Sequence, residues 1–330
     1  MSCPGQDFCL LEAYCDGFSY SVLTILKWSE NEVTSESLPD MNPVKIRRAY
    51  IDTSIGQIHI RIARPMKDYG KIPLVCFHMS PNTGRIYDNF MSEMAQDRLT
   101  VAPDTPGFGY SDRTKKPPEI TDYAAIFIEL LDALDLPSVD VMGYHTGAMI
   151  AVELARMAPR RVRRVVAIAA PIFDAAERDE FRDKYAHRKP ERDGSHVADY
   201  WRRSLYWYEQ GNGSIDDLER YFPDSLLGGT TAWWGHRAAF NYILEDALKE
   251  VTQPLLLINP HDDLEVYTLK AAPYLQNARM YNAAGWGHCF LDSFKTEAAE
   301  LVRSFLDAPD SDPFGSIAFV PSAKAAWNKT

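Results

Sequence analysis

The segment VDVMGYHTGAMIAVELARMAP, residues 139–159, decides the fold. An apolar, β-rich run leads into Gly143-Tyr144-His145-Thr146-Gly147, and apolar residues at helical spacing follow. Glycines at both ends of this pentapeptide let a strand and a helix approach closely across a sharp turn. The spacing is that of G-x-S-x-G, which ordinarily presents a serine nucleophile at the tip of such a turn. Here the serine position holds His145. The central residue of the turn is expected at positive φ, where histidine, like Asn and Asp, is enriched several-fold. Its imidazole is therefore expected to point into a pocket. The competing reading is a buried histidine satisfied by hydrogen bonds.

Upstream, KIRRAYIDTSIGQIHIRIARP (45–65) holds two β-rich runs around Ser54-Ile55-Gly56-Gln57 and reads as a hairpin. IPLVCFH (72–78) is a short continuous apolar run, the mark of a strand buried on both faces. RLTVAPDTPGFGYSD (98–112) is a strand running into a loop rich in Pro and Gly. Thr121 is a candidate N-cap for the helix DYAAIFIELLDALDL (122–136), which Pro137 closes. Downstream, VRRVVAIAAP (162–171) is the next strand. Strands alternating with helices predict an α/β fold with a mostly parallel central sheet flanked by helices. Ligands bind such sheets beyond the carboxyl ends of the strands.

After Pro171 the pattern changes. Residues 172–248 are charged and aromatic, without an apolar strand, and ADYWRRSLYWYEQ (198–210) and TTAWWGHRAAFNYILEDAL (230–248) read as helices. The sheet pattern resumes with QPLLLINPHDD (253–263) and ARMYNAAGWGH (278–288), and SFKTEAAELVRSFLD (293–307) reads as the last helix. The expected organisation is one α/β core in two parts, 43–171 and 249–308, with an inserted helical cap over 172–248. An N-terminal extension, 1–42, is either a docking arm or an addition upstream of an older start at Met41. The C-terminal tail, 309–330, has little periodicity.

A net charge of −11 argues against nucleic acid or an anionic membrane as partner and favours a neutral or cationic small-molecule substrate only weakly, because the local field in a cleft can oppose the global sign. A homodimer is left open. The five cysteines form no C-x-x-C pair, so a zinc site of that kind is not expected and a reduced, cytoplasmic protein is. The N-terminal run lacks a basic start, and the apolar stretch from Phe18 to Trp28 is too short and interrupted to span a bilayer.

Five short segments in order carry a resemblance: HMSP after the third strand, APDTPGFGYSD after the fourth, GYHTG after the fifth, NPHDD after the seventh and GWGH after the eighth. Over residues 45–308 the chain resembles the α/β-hydrolase superfamily, in the capped branch of haloalkane dehalogenases, epoxide hydrolases, C–C bond hydrolases and esterases. The resemblance implies that fold, with His288 as general base and Asp263 as the acid that orients it. Asp262 is its near neighbour, and Asp174 is the position some relatives use instead. Two backbone N–H groups, of Thr146 and Ser80, are implied as the oxyanion hole, with Met79 where the family has glycine. His78 either shapes that loop or faces the pocket. Tyr144, Trp201, Trp207, Trp233 and Trp234 are candidate pocket residues. Asp104, Pro106, Gly107, Gly109 and Ser111 read as loop scaffold.

Histidine in the serine position admits four chemistries. Neutral His145 attacks an ester or related carbonyl, with His288 directing the water that releases the acyl group. Alternatively, one histidine is a general base in a cofactor-free lyase or isomerase. Two histidines and a carboxylate are also a known metal-ligand set, although no local spacing such as H-x-x-x-H supports one. Lastly, the site binds a ligand without turning it over. Hydrolysis of a small, apolar carbonyl compound is the leading expectation, with no metal and no cofactor called for.

Overall fold

The computed structural model describes residues 45–211, 213–315 and 317. The expected N-terminal extension and most of the tail lie outside the described residues, as do Cys3, Cys9 and Cys15. Eight strands build one sheet: β1 (Arg47–Thr53), β2 (Gly56–Ala63), β3 (Leu74–Phe77), β4 (Thr100–Pro103), β5 (Val139–Tyr144), β6 (Val162–Ile168), β7 (Leu255–Pro260) and β8 (Ala278–Ala283). Their order is β1-β2-β4-β3-β5-β6-β7-β8. The β1–β2 hairpin turns at Ser54-Ile55, with Thr53 opposite Gly56, and β2 pairs antiparallel with β4. Every later pairing, from β4–β3 through β7–β8, is parallel.

Side-chain alternation along the central strands explains the two layers of helices. In β5 Val141 faces one core and Met142 the other, and Val165 and Val166 in β6, or Leu255 and Leu256 in β7, divide the same way. Strands sandwiched like this carry apolar residues at every position. Helices α2 (Ile120–Ala133) and α3 (Thr146–Met157) close the first core, whereas α1 (Asp88–Met94) and the C-terminal α11 (Lys295–Leu306) close the second. Each fully buried aliphatic side chain stabilises this arrangement by about 1.5–3 kcal/mol.

Between β6 and β7 the chain makes only helices: α4 (Ala175–Lys184), α5 (Ser195–Gln210), α6 (Ile215–Leu226), α7 (Trp234–Asn241) and α8 (Leu244–Glu250), with a short 3-10 turn at Gly229–Thr231. Two short helices, α9 (Glu265–Leu269) and α10 (Phe290–Ser293), follow β7 and β8. The stretch 230–248, expected as one helix, is broken because Tyr242 and Ile243 leave helical geometry. Helices α4 and α6 are additions to the expected pair; Ser214 caps α6 with Asp217 in a reciprocal box. Helix α2 begins one residue before Thr121. Its cap is Glu119, whose side chain accepts from the N3 backbone while Asp122 returns the bond. Among the described residues no helix is long and apolar enough to cross a membrane. Cys76 and Cys289 are buried free thiols.

Candidate active site

The site grows from the turn that joins β5 to α3. His145 sits there at φ 51° and ψ −113°. Its amide donates to Ile168 O at 3.0 Å, and its carbonyl accepts from Ala148 N at 2.9 Å, so both sides of the turn are pinned. The two glycines are required sterically. A Cβ on Gly143 would stand 1.9 Å from Gly147 O, and one on Gly147 would stand 2.0 Å from Phe77 O. Thr146 opens α3, in the first turn, where an N–H has no intrahelical acceptor.

Two loops bring carboxylates and a second imidazole to this turn. His145 Nε2 lies 2.9 Å from Asp262 Oδ2, and His288 Nε2 lies 2.9 Å from Asp263 Oδ1. The imidazole rings stand edge to face with centroids 5.3 Å apart. Asp262 is fixed by its other oxygen, which accepts from Leu264 N at 2.9 Å. An ionised carboxylate only accepts, so each histidine presents Nε2–H to its aspartate and keeps Nδ1 for other work. Side-chain exposure is 14% for His145, 13% for His288 and 22% for Asp263, but 0% for Asp262. Asp262 is thus a buried anchor, and the other three remain within reach of a ligand.

Burial disfavours the His288 cation, yet the Asp263 hydrogen bond and charge, with Asp262 adding, outweigh it and lift the imidazole above its ordinary value. Burial likewise raises the Asp263 carboxyl, but His288, followed by the charge of His145, pulls it well below the usual carboxylate range. Tyr144 lies beneath, fully buried, with its hydroxyl 3.4 Å from Asp262 Oδ2. Burial, and then the charges of both aspartates, keep that phenol neutral.

A cavity opens over His145, with about 40 Å³ available to the centres of water molecules. That is room for roughly three waters, which suits a small ligand. Ser80, His145, Thr146 and Asp263 form its polar floor. Its walls are Phe173, Phe181, Tyr185, His236 and Phe240, with Met149 below. The loop after β3 therefore delivers Ser80 to the cavity, and α7 packs onto it so closely that a Cβ on Gly235 would stand 1.9 Å from Ser80 Oγ.

The other sequence candidates fall elsewhere. His78 is buried away from the cavity; Thr105 N donates to its Nε2 at 2.8 Å, so Nδ1–H donates to Met79 O at 2.9 Å. It ties the loop after β3 to the loop after β4. Met79, in the glycine position, is buried in the second core. Asp104 accepts from Gly84 N, Tyr110 N and His59 Nδ1, a scaffold role. Asp174 is exposed and caps α4. Trp207 reaches His288, with ring centroids 5.6 Å apart. Trp201 packs on Phe222, Trp233 donates to Thr230 O, and Trp234 lies beside Gly107, so none of these three lines the cavity. The aromatic walls went unread in the sequence. Their signal is i,i+4 spacing on two helices: Phe181 with Tyr185, and His236 with Phe240. The pairing of Asp262 with His145 also went unread, since no local pattern announces it.

A strand, a sharp turn with positive φ and a buried helix, met by an imidazole–carboxylate pair after β7 and β8, agree with the comparisons. A family model described as alpha/beta hydrolase fold matches residues 72–294. The chain belongs to the α/β-hydrolase superfamily of enzymes. It is 38% identical over 240 residues to a 2-hydroxymuconate semialdehyde hydrolase of Pseudomonas putida, covering 66% of this chain and 80% of that one. It is 26% identical over 251 residues to a non-heme chloroperoxidase of Streptomyces lividans, covering 69% and 90%. Among solved structures, a thermophilic esterase from Thermogutta terrifontis superposes with a TM-score of 0.63 at 16% identity, over 79% of this chain and 98% of that one. That last likeness speaks for the fold alone.

Proposed function

We propose that this α/β-hydrolase cleaves an ester or related carbonyl bond of a small, largely apolar molecule, with His145 in the nucleophile's place. The observation that carries the reading is the meeting of two imidazole–carboxylate pairs at the turn, His145–Asp262 and His288–Asp263, with one member of each, His145 and Asp263, lining the cavity. With Nε2–H committed to Asp262, the lone pair of His145 Nδ1 attacks the carbonyl carbon. The carbonyl electron pair moves to oxygen, which the N–H groups of Ser80 and Thr146 receive. Collapse expels the alcohol, which takes its proton from the His288 imidazolium. The acyl-imidazolium is stabilised by Asp262 through the Nε2–H bond. Water then adds to it, giving its proton to the now neutral His288, and collapse releases the carboxylic acid. Asp263 holds His288 throughout and compensates its charge.

Residues 172–248 act as a cap, since all five aromatic wall residues come from that stretch. No Arg or Lys lines the described cavity, which favours an uncharged substrate body over a dicarboxylate. The P. putida relative is named for a semialdehyde, which fits a carbonyl substrate. The free lone pair on His145 also suits proton abstraction, so a lyase or isomerase using the same oxyanion donors is the second reading.

The test is turnover of a panel of activated esters and thioesters in chelator-treated buffer by the wild type, His145→Ala and His145→Ser. The reading expects turnover by the wild type, water-derived oxygen in the carboxylate product, and a loss of at least ~100-fold in His145→Ala. An inert wild type beside an active His145→Ser variant would overturn it in favour of the second reading.

A further inference from the structure

We propose that His145, Asp262, Asp263 and His288 also form a binding site for one divalent first-row metal ion, with Zn²⁺ as its natural occupant. Each of the four offers one ligand atom, and these atoms all lie within 4.8 Å of one another. Around four-coordinate zinc, with bonds of about 2.0–2.2 Å, neighbouring ligand atoms stand about 3.4 Å apart. The two hydrogen-bonded contacts of 2.9 Å need to open by about half an ångström to reach that spacing. The most separated pair needs to close by little more than an ångström. Rotation of exposed-side His145, His288 and Asp263 supplies this, because only Asp262 is fully buried.

Charge and donor type point the same way. In the metal-bound state two carboxylates face two neutral imidazoles and carry two negative charges, which a divalent ion cancels. An imidazole–carboxylate set suits Zn²⁺ and its neighbours, whereas Mg²⁺ and Ca²⁺ prefer oxygen alone. Binding moves the Nε2 proton of a neutral ring to its own Nδ1, whereas an imidazolium keeps Nδ1–H and releases its Nε2 proton to solvent, so the balance closes without another reactant. The anchor is already oriented: Leu264 N–H and the Tyr144 hydroxyl hold Asp262 from behind, as outer partners hold ligands in established metal sites. The adjoining cavity leaves space for water or a substrate oxygen as a further ligand. No local sequence spacing encodes this set; three separate loops, after β5, β7 and β8, deliver it.

The inference does not rest on ester hydrolysis. A bound ion occupies Nε2 of both rings, so the metal-loaded and metal-free sites do different chemistry. The experiment uses the full chain after chelator dialysis. Zn²⁺ is titrated by calorimetry against a competing chelator, and Co²⁺ is followed through its visible d–d absorption. One ion per chain, weakened at least ~100-fold in both His145→Asn and His288→Ala, is the expected result. Asn tolerates positive φ, so the first variant keeps the turn, and circular dichroism melts check the second. No stoichiometric binding, or binding that survives both substitutions and hence resides on other histidines or on cysteines, would overturn the proposal. Ester turnover by the metal-free protein is scored separately, so failure of either reading leaves the other standing.

Discussion

The two ends of β5 bury charge in different ways. At the amino end, Asp140 is fully buried and takes a bidentate bond from Arg163, at 3.0 and 2.6 Å, with Arg98 Nη1 4.0 Å away. Arg163 also donates to Leu306 O, and Arg164 donates to Phe305 O and Ala308 O, so guanidinium groups grip the carboxyl end of α11. Positive charge there also complements the helix dipole. At the carboxyl end, five residues later, imidazoles replace the guanidinium groups, and a cavity replaces the helix end. Guanidinium stays charged at any working pH and bonds in a fixed fork, which suits a clasp. Imidazole exchanges a proton and offers a lone pair, which suits chemistry. One strand thus carries a structural ion cluster at one end and, in the proposed mechanism, the reactive one at the other.

Substitution at the two ends should separate stability from turnover. Asp140→Ala strands Arg163 without its bidentate carboxylate and leaves Arg98 only Asp97 and Asp307, and should cost about 3–5 kcal/mol in urea unfolding. A cost under about 1 kcal/mol would show that the clasp contributes nothing and that the contrast is false. His288→Ala should leave the urea midpoint nearly in place while lowering turnover by more than ~100-fold, worth about 2.7 kcal/mol of barrier. Turnover that survives this change would sink the role of His288 as acid and base.

The sequence made the reactive end partly legible and the clasp hardly at all. Gly143 and Gly147 announce the turn because only glycine allows backbone contacts that close, and His145 and His288 stand out by residue type in those frames. The central strands of the sheet are legible because both of their faces are apolar and buried. By contrast, Asp262 and Asp263 are adjacent and chemically alike. Which imidazole each one meets depends on how the loop after β7 presents alternate side chains, and that is a tertiary fact. The stretch 172–248 is legible as helical by composition, but which rings face the cavity is not: Trp201 and Trp233 have the same local signature as Tyr185 and point elsewhere. The arginines of the clasp sit in strands and near a helix end, where ordinary surface charges also occur.

The clasp should also respond to pH in one direction only. Burial raises the Asp307 carboxyl, but bonds from Lys71 and Arg98 outweigh it and leave it below the usual range. A depressed carboxyl contributes stability above its unfolded value of about 3.9 and loses it as the pH falls through the folded value. The stability gap between the wild type and Asp307→Asn should therefore be level from about pH 5 upward and vanish in stronger acid. Since Asp307 is 31% exposed, solvent screening keeps the gap small. A gap that widened on acidification would mean that the pair opposes folding.

The smallest expected effect probes the cavity wall. His236 stacks on Tyr185 with centroids 4.4 Å apart, and burial, followed by the charges of His145 and Arg203, pushes its imidazole down to about 3. It is therefore neutral at working pH and offers the cavity one donor and one acceptor within an otherwise aromatic wall. A substrate that uses either should bind more weakly once they are gone, whereas the reacting bond, on the opposite floor, should be indifferent. His236→Phe keeps a flat ring in the stack and removes only the polar atoms. It should raise KM by roughly 5- to 10-fold, about the worth of one hydrogen bond, with kcat within about twofold. A fall in kcat with KM unchanged would place His236 among the groups that act on the transition state, and the reactive cluster would then extend from the floor of the cavity into its wall.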